Sequence, residues 1–306
     1  MQPLKGILFK VMSVMMFMGM ASLIKAASAD VPPGQAVFFR SFFALPIIFG
    51  WLAIRSELTT GWKTTNHMGH FWRGLVGTSA MGLGFTGLGL LPLPEVTAIG
   101  YAAPIFVVIF AAMFLNEQVR AFRLSAVALG MVGVLIVLSP RLTVGAGLNV
   151  SETLGAVVTL MGAILAALAH VFVRKLVATE TTAAIVFWFT VTSSALALLT
   201  LPWGWVVPTW SVAAMLVMAG LLGGVGQICL TSSYRFADAS LVAPFDYTSM
   251  ILALMIGYFV FEEVPTGTML IGATIVIAAG VLIIWRERRL GLQRAQQRKA
   301  TGNTGA

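Results

Sequence analysis

An ionisable side chain inside a long apolar run is costly to keep there, so it is the first place to look for chemistry. Arg40 stands in such a run, within FFRSFF (Phe38–Phe43), and Asp246 stands in another, two residues after Pro244. A guanidinium there can hold a polar cargo in a translocation cavity; it can equally pair with a backbone carbonyl or snorkel to the interface. A carboxyl at Asp246 can bind a proton or accept a hydrogen bond from a cargo hydroxyl, or it can cap a helix that Pro244 interrupts. Tyr101, Trp188, Gln227 and Tyr247 add aromatic faces, an amide and hydroxyls in similar surroundings, suited to stacking on a flat ring and meeting its carbonyls. Arg40, Tyr101, Trp188, Gln227, Asp246 and Tyr247 form the candidate substrate-binding set, with ordinary helix packing as the competing explanation for each. Pro104 and Pro244 are the candidate helix breaks. Each removes a backbone hydrogen bond and frees a carbonyl, which lipid tolerates only where neighbours or a cavity satisfy it.

The same inventory argues against catalysis. Three histidines, of which His67 and His70 share a loop while His170 reads as a satisfied interior residue, assemble neither a base with a nucleophile nor a metal set with the single cysteine, Cys229. No H-E-x-x-H or G-x-S-x-G occurs. GLGFTG (Gly82–Gly87) has the letters of a dinucleotide fingerprint but follows no strand; its glycines, like those of Gly220–Gly224, suit close helix packing. The absence of a Walker-A pattern leaves direct ATP coupling unsupported. The expectation is no enzyme, no metal and no cofactor.

The elements that must position these residues are set by composition. Of 306 residues, 58% are hydrophobic and 10% charged, and mean hydropathy is +0.94. Soluble domains carry about 25% charged residues, so lipid has to be the solvent for much of this chain. About 20 apolar residues make one span, and continuous apolar runs give ten: 7–27, 35–55, 72–91, 96–115, 122–139, 153–173, 183–201, 211–233, 239–260 and 267–285. The runs are continuous rather than alternating, so strands are not supported and an all-helical chain is expected. With a cytoplasmic N-terminus, sixteen of the 19 basic residues fall inside and only Lys25 and Arg141 outside, so both termini are expected in the cytoplasm. The excess charge of +8 therefore marks a membrane face rather than a nucleic-acid partner. Lys25 and Arg235, near span ends, read as snorkelling. Lys5, Lys10, the apolar stretch that follows and Ala27–Ala29 resemble a cleavable signal peptide. Lys25 interrupts that pattern, and the repeat described next needs this stretch as its first span.

Self-comparison shows a repeat. FLNEQV at Phe114–Val119 recurs as FVFEEV at Phe259–Val264, 145 residues on. GVLIVL at Gly133–Leu138 recurs as GVLIIW at Gly280–Trp285, and AVFFRS at Ala36–Ser41 faces IVFWFT at Ile185–Thr190, 149 residues on. Each half holds five spans, an odd number, so the second must lie inverted relative to the first. Such inverted repeats build secondary transporters whose cargo sits near the midplane between the halves. Glu95, Glu117, Glu262 and Glu263, at span ends, read as boundary and gating groups.

The Arg within Phe38–Phe43, LPEVTAIGYAAPIF (Leu93–Phe106), Asn116-Glu117, SSYRFADASLVAPFDY (Ser232–Tyr247) and Phe261–Glu263 resemble the EamA branch of the drug/metabolite transporter superfamily over about residues 4–288. The resemblance implies an all-α membrane protein of ten transmembrane helices in two repeats, residues 4–140 and 150–288; the polar segment 289–306, which it does not cover, lacks periodic apolar residues and reads as a disordered cytoplasmic tail. The resemblance also implies a small-molecule substrate, carried across a bacterial inner membrane. Within that family the opening segment and VPPGQAVFFRSFFALP are similar to riboflavin importers and, less closely, to S-adenosylmethionine carriers. Riboflavin uptake is thus the leading expectation, with S-adenosylmethionine or another metabolite, in either direction, as the alternative and lipid flipping as an alternative of another class. Oligomeric state has no sequence signal.

Overall fold

The computed structural model of the chain describes residues 3–115, 121–142, 150–237, 242–282 and 285, and among these every regular element is helical. The elements are α1 (Pro3–Ala27), α2 (Pro33–Phe42), α3 (Leu45–Ile54), α4 (His67–Leu90), α5 (Leu93–Gly100), α6 (Ala102–Leu115), α7 (Ala121–Leu142), α8 (Val150–Val177), α9 (Thr182–Leu198) and α10 (Trp210–Phe236). A 3-10 turn (Ala243–Tyr247) then leads into α11 (Thr248–Phe261), and α12 (Gly267–Leu282) follows. Asn116, Glu117 and residues 289–306 lie outside the described residues.

Five apolar helical segments are long enough to cross a bilayer: Leu4–Ala27, Pro33–Ile54, Leu93–Phe110, Val150–Val177 and Trp210–Phe236. Four shorter ones are Ser125–Pro140, Thr182–Leu198, Phe245–Phe261 and Gly267–Leu282. The ten uniform spans read from the sequence are thus unequal. α4 has the length, with 24 residues, but its glycines and polar groups dilute its apolar character.

Local chemistry sets the ends. Asn66 caps α4, its Oδ1 accepting from the Gly69 amide at 2.9 Å. Thr181 caps α9 in the same way, accepting from Ala184 at 3.1 Å. Pro33, Pro46 and Pro94 occupy first turns of α2, α3 and α5, where a missing N–H costs no hydrogen bond. Three of the expected spans are interrupted. The second breaks between Phe42 and Leu45, the fourth at Tyr101, and the ninth starts as the 3-10 turn Ala243–Tyr247 before becoming α-helical.

Small residues let the helices approach. α1 packs along α10 and α4 along α8; α4 and α10 also meet α9 and α2 respectively, while α5 touches α11. Gly162 of α8 packs against α4, where an added Cβ would sit 3.2 Å from the Gly84 amide nitrogen and 3.3 Å from the Ala80 carbonyl. Gly133 and Gly272 serve the crossing of α7 and α12: a Cβ on Gly133 would lie 2.7 Å from Val276. Of the glycines in Gly82–Gly87, Gly87 is pressed by Thr159, whereas Gly82 and Gly84 have open space beside their own Cα, so packing explains only part of that motif. Gly220, Gly223 and Gly224 are all in tight contact with α2 and the α2–α3 junction.

Candidate functional site

Two of the interruptions face each other. Tyr101, between α5 and α6, packs edge-on against Tyr247 with ring centroids 5.1 Å apart. Its hydroxyl is 2.8 Å from the Ser249 hydroxyl and donates more weakly to the Tyr247 carbonyl at 3.4 Å. The Ser249 hydroxyl donates to the Asp246 carbonyl at 2.6 Å. A helix break leaves carbonyls without their N–H partners, and here side-chain hydroxyls take up part of that deficit. The offset of 145 that relates the ends of these spans carries Tyr101 onto Asp246, so the breaks coincide in the repeat although Pro104 and Pro244 do not. Pro104 stands at the third residue of α6 with an exposed ring, and Pro244 at the second residue of the 3-10 turn.

Asp246 aims its carboxylate at α1. Lys10 Nζ lies 2.8 Å from Asp246 Oδ1, with the lysine side chain 2% exposed and the aspartate 38%. The ammonium also stands 5.2 Å from the Tyr234 ring centre on α10. An interior lysine is expensive unless paired, and this one has both a carboxylate and an aromatic face. At the other end of α1, Lys25 pairs with Glu263 at 2.9 Å and donates to the Leu91 carbonyl at 2.7 Å. Glu263 in turn accepts from the Leu93 amide at 2.8 Å, which ties α1, the start of α5 and the end of α11 into one knot. Lys25 therefore does not snorkel: its partners lie inside the protein.

The second cluster surrounds Phe189 on α9. The Arg40 guanidinium lies 5.6 Å from the ring centre and that of Arg73, from α4, 3.9 Å. Both arginines are buried, at 3% and 6% exposure. Glycines make the room. A Cβ on Gly77 would run into Arg73 Nη1 and stand 2.9 Å from Phe189, and one on Gly223 would stand 2.9 Å from Arg40 Nε. The sequence GLVG at Gly74–Gly77 matches GLLG at Gly220–Gly223, and Arg40 matches Phe189 in the pairing of Ala36–Ser41 with Ile185–Thr190. Equivalent positions of the two halves thus meet at this point. Gln227, buried one turn beyond Gly223 on α10, leads from Arg40 toward Tyr234 and Lys10. His170 on α8 is half-buried and within electrostatic reach of Lys10, Arg73 and Asp246.

Trp188 stands apart from both clusters. Its Nε1 donates to the Trp62 carbonyl at 2.9 Å, and its ring packs against His67 and His70 beside the loop before α4. His70 Nε2 is 3.7 Å from Glu180, which also accepts from the amide and hydroxyl of Thr65, each at 3.2 Å. Burial pushes the Glu180 carboxyl up, and the hydrogen bonds from Thr64 and Thr65 and the facing His70 push it down further, to a net position below the ordinary carboxylate value.

Of the residues singled out in the sequence, the structure joins Tyr101, Asp246 and Tyr247, places Arg40 and Gln227 along the adjoining face of α10, and leaves Trp188 at one end. The sequence reading missed Lys10, counted as a topological marker, and Arg73, placed just inside a span end. The signal for Arg73 was Asn66: a capping residue there starts α4 at His67 and carries Arg73 a turn deeper.

A model of the EamA-like transporter family matches residues 4–139 and again 153–285. The chain is 28% identical over 255 residues to an S-adenosylmethionine uptake transporter of Rickettsia bellii, covering 83% of this chain and 84% of that one. It is 28% identical over 267 residues to a riboflavin transporter of Rhizobium johnstonii, covering 84% and 83%. The pseudopaline exporter CntI of Pseudomonas aeruginosa is 28% identical over 280 residues, covering 91% and 95%. One solved crystal structure shares the fold with a TM-score of 0.67 at 19% identity, over 93% of this chain and 98% of that one.

Proposed function

The chain belongs to the EamA-like transporter family, and we propose that it is a secondary transporter that moves a small metabolite by alternating access. The proposed architecture is ten transmembrane helices in two inverted five-helix repeats, residues 4–140 and 150–288, in a bacterial inner membrane with both termini cytoplasmic. The observation that carries this reading is the meeting of repeat-equivalent positions: Tyr101 with the Asp246–Tyr247 turn, and Arg40 with Phe189. Helix packing supports it too, since α1 on α10 has its counterpart in α8 on α4, as a two-fold exchange of halves requires. A pair of halves related in this way can close at one face while opening at the other. The knot of Lys25 and Glu263 is suited to closing one face, and the pair of Lys10 and Asp246 to fastening α1 at its other end.

Riboflavin is the substrate we place first, drawing on the sequence likeness and on the aromatic faces of Phe189, Tyr101 and Tyr247. A second reading, uptake of S-adenosylmethionine, is favoured by the two buried guanidiniums, which can take the carboxylate that riboflavin lacks. Uptake of labelled riboflavin by a riboflavin-auxotrophic bacterium expressing the chain separates them. Saturable uptake that unlabelled riboflavin competes away supports the first. Absent uptake, with the protein confirmed in the membrane, removes it and moves the assay to S-adenosylmethionine.

A further inference from the structure

We propose that Arg40 and Arg73, both set against the Phe189 ring, form an anion subsite, so that the cargo of this carrier bears a carboxylate or phosphate group. The inference rests on the transporter reading and moves its substrate class away from riboflavin, which has neither group, toward S-adenosylmethionine or a phosphorylated compound.

The argument begins with charge. Arginine stays protonated in proteins, so both guanidiniums bring a full positive charge into the interior. Their Nε and Nη1 atoms are buried and have no hydrogen-bond partner. The contact Arg40 does make, from Nη2 to the Gly223 carbonyl, is long at 3.5 Å. Among the described residues neither arginine has an ion pair, and the carboxylates of Asp246, Glu263 and Glu180 face Lys10, Lys25 and His70 instead. What remains is Phe189. A cation over an aromatic face contributes up to about 2 kcal/mol when desolvated, whereas burying an ion costs several kcal/mol after relaxation. The ring falls short for either charge, and it serves two.

The two charges also share one ring. Both guanidinium carbons are measured from one ring centre, at 5.6 Å and 3.9 Å, so their separation cannot exceed the sum of those distances. Each raises the cost of the other, and a single anion between them would relieve both. Guanidinium nitrogens match the oxygens of carboxylate and phosphate in bidentate geometry. The fold builds the arrangement rather than tolerating it: Gly77 and Gly223, at equivalent places in the repeat, leave the space that the two side chains fill. Arg40, Arg73 and Phe189 come from α2, α4 and α9, which span both halves, so an anion held here would bridge the parts that alternating access moves.

The test uses the full chain in nanodiscs of zwitterionic phosphatidylcholine, so that any anion must come from solution. Unfolding midpoints are recorded with inorganic phosphate against chloride at matched ionic strength, and with riboflavin against riboflavin 5′-phosphate. The expected result is stabilisation by phosphate beyond chloride, and riboflavin 5′-phosphate binding at least about tenfold tighter than riboflavin, a difference of about 1.4 kcal/mol. Arg73→Met and Arg40→Met should each abolish the phosphate effect while leaving the ligand-free midpoint unchanged or higher, because an uncompensated charge has been removed. Arg73→Lys should keep part of the effect. No response of the parent chain to phosphate, or Met variants that unfold earlier without ligand, would overturn the subsite and assign the arginines to packing. The two readings fail separately. Riboflavin uptake without phosphate binding leaves the carrier and removes the anion site, whereas phosphate binding without riboflavin uptake leaves the site and removes the vitamin.

Discussion

Replacing Asp246 by asparagine should cost more stability than replacing its partner Lys10 by methionine, although the same contact is lost. Lys10 is almost wholly enclosed and Asp246 is 38% exposed, with 2.8 Å between their charged atoms. Removing one partner of a fully buried pair costs about 3–5 kcal/mol, because the other charge is stranded. Water already reaches Asp246, so part of that interaction is screened, and the expectation for Asp246→Asn is about 2–3 kcal/mol. Lys10→Met strands only a carboxylate that water can solvate, which should cost under about 1 kcal/mol. The double variant should resemble Lys10→Met, giving a coupling energy of about 2 kcal/mol in a double-mutant cycle. Denaturant unfolding of the purified chain in detergent, followed by tryptophan fluorescence, reads all four corners. An Asp246→Asn protein as stable as the parent, or a double variant less stable than Asp246→Asn, would refute the claim that the carboxylate exists to hold the buried ammonium.

Three further outcomes follow from the geometry. Gly77→Ala should displace the Arg73 guanidinium, costing about 1–3 kcal/mol from overpacking and weakening phosphate binding in the nanodisc titration; unchanged binding would separate Gly77 from the subsite. Lys25→Glu should stop transport with normal membrane abundance, and adding Glu263→Lys should restore part of it, as a restored ion pair would; no rescue would mean the carbonyls around Lys25 matter more than Glu263. Glu180, held below its ordinary value, adds stability that is present above pH 4.5 and is lost as the pH falls through its folded value. Glu180→Gln should therefore be less stable than the parent at neutral pH, with the gap closing under acid, and a constant gap across a pH series of unfolding midpoints would contradict this.

The helices were legible because lipid demands long continuous apolar runs, and the expected spans agree with the described helices to within a few residues at most ends. Pro104 and Pro244, the breaks expected from the sequence, lie close to the interruptions at Tyr101 and at Ala243–Tyr247. The interruption between α2 and α3 was not anticipated, although Pro46 announces it. The site was read less well for a physical reason: a lysine near a span end has the same sequence appearance whether it reaches for water or for a carboxylate. Lys10 and Lys25 take carboxylates from a segment more than two hundred residues away, and no local pattern reports that. Arg40 declared itself by lying deep in an apolar run, and Arg73 did not, because its depth depends on where α4 starts. Trp188 had the right type and the right span but points to the Trp62 loop, since helical phase within a few residues decides which face a ring takes.

The central claim is that the chain carries a small soluble metabolite, and reconstitution tests it most directly. Purified protein in liposomes is loaded with labelled riboflavin or S-adenosylmethionine on one side, and parallel vesicles carry a fluorescent phospholipid. The account predicts saturable flux of one soluble compound, lost in Arg40→Met and Asp246→Asn vesicles that hold as much protein, with no acceleration of lipid flipping. Rapid lipid flipping without flux of any soluble candidate would contradict it.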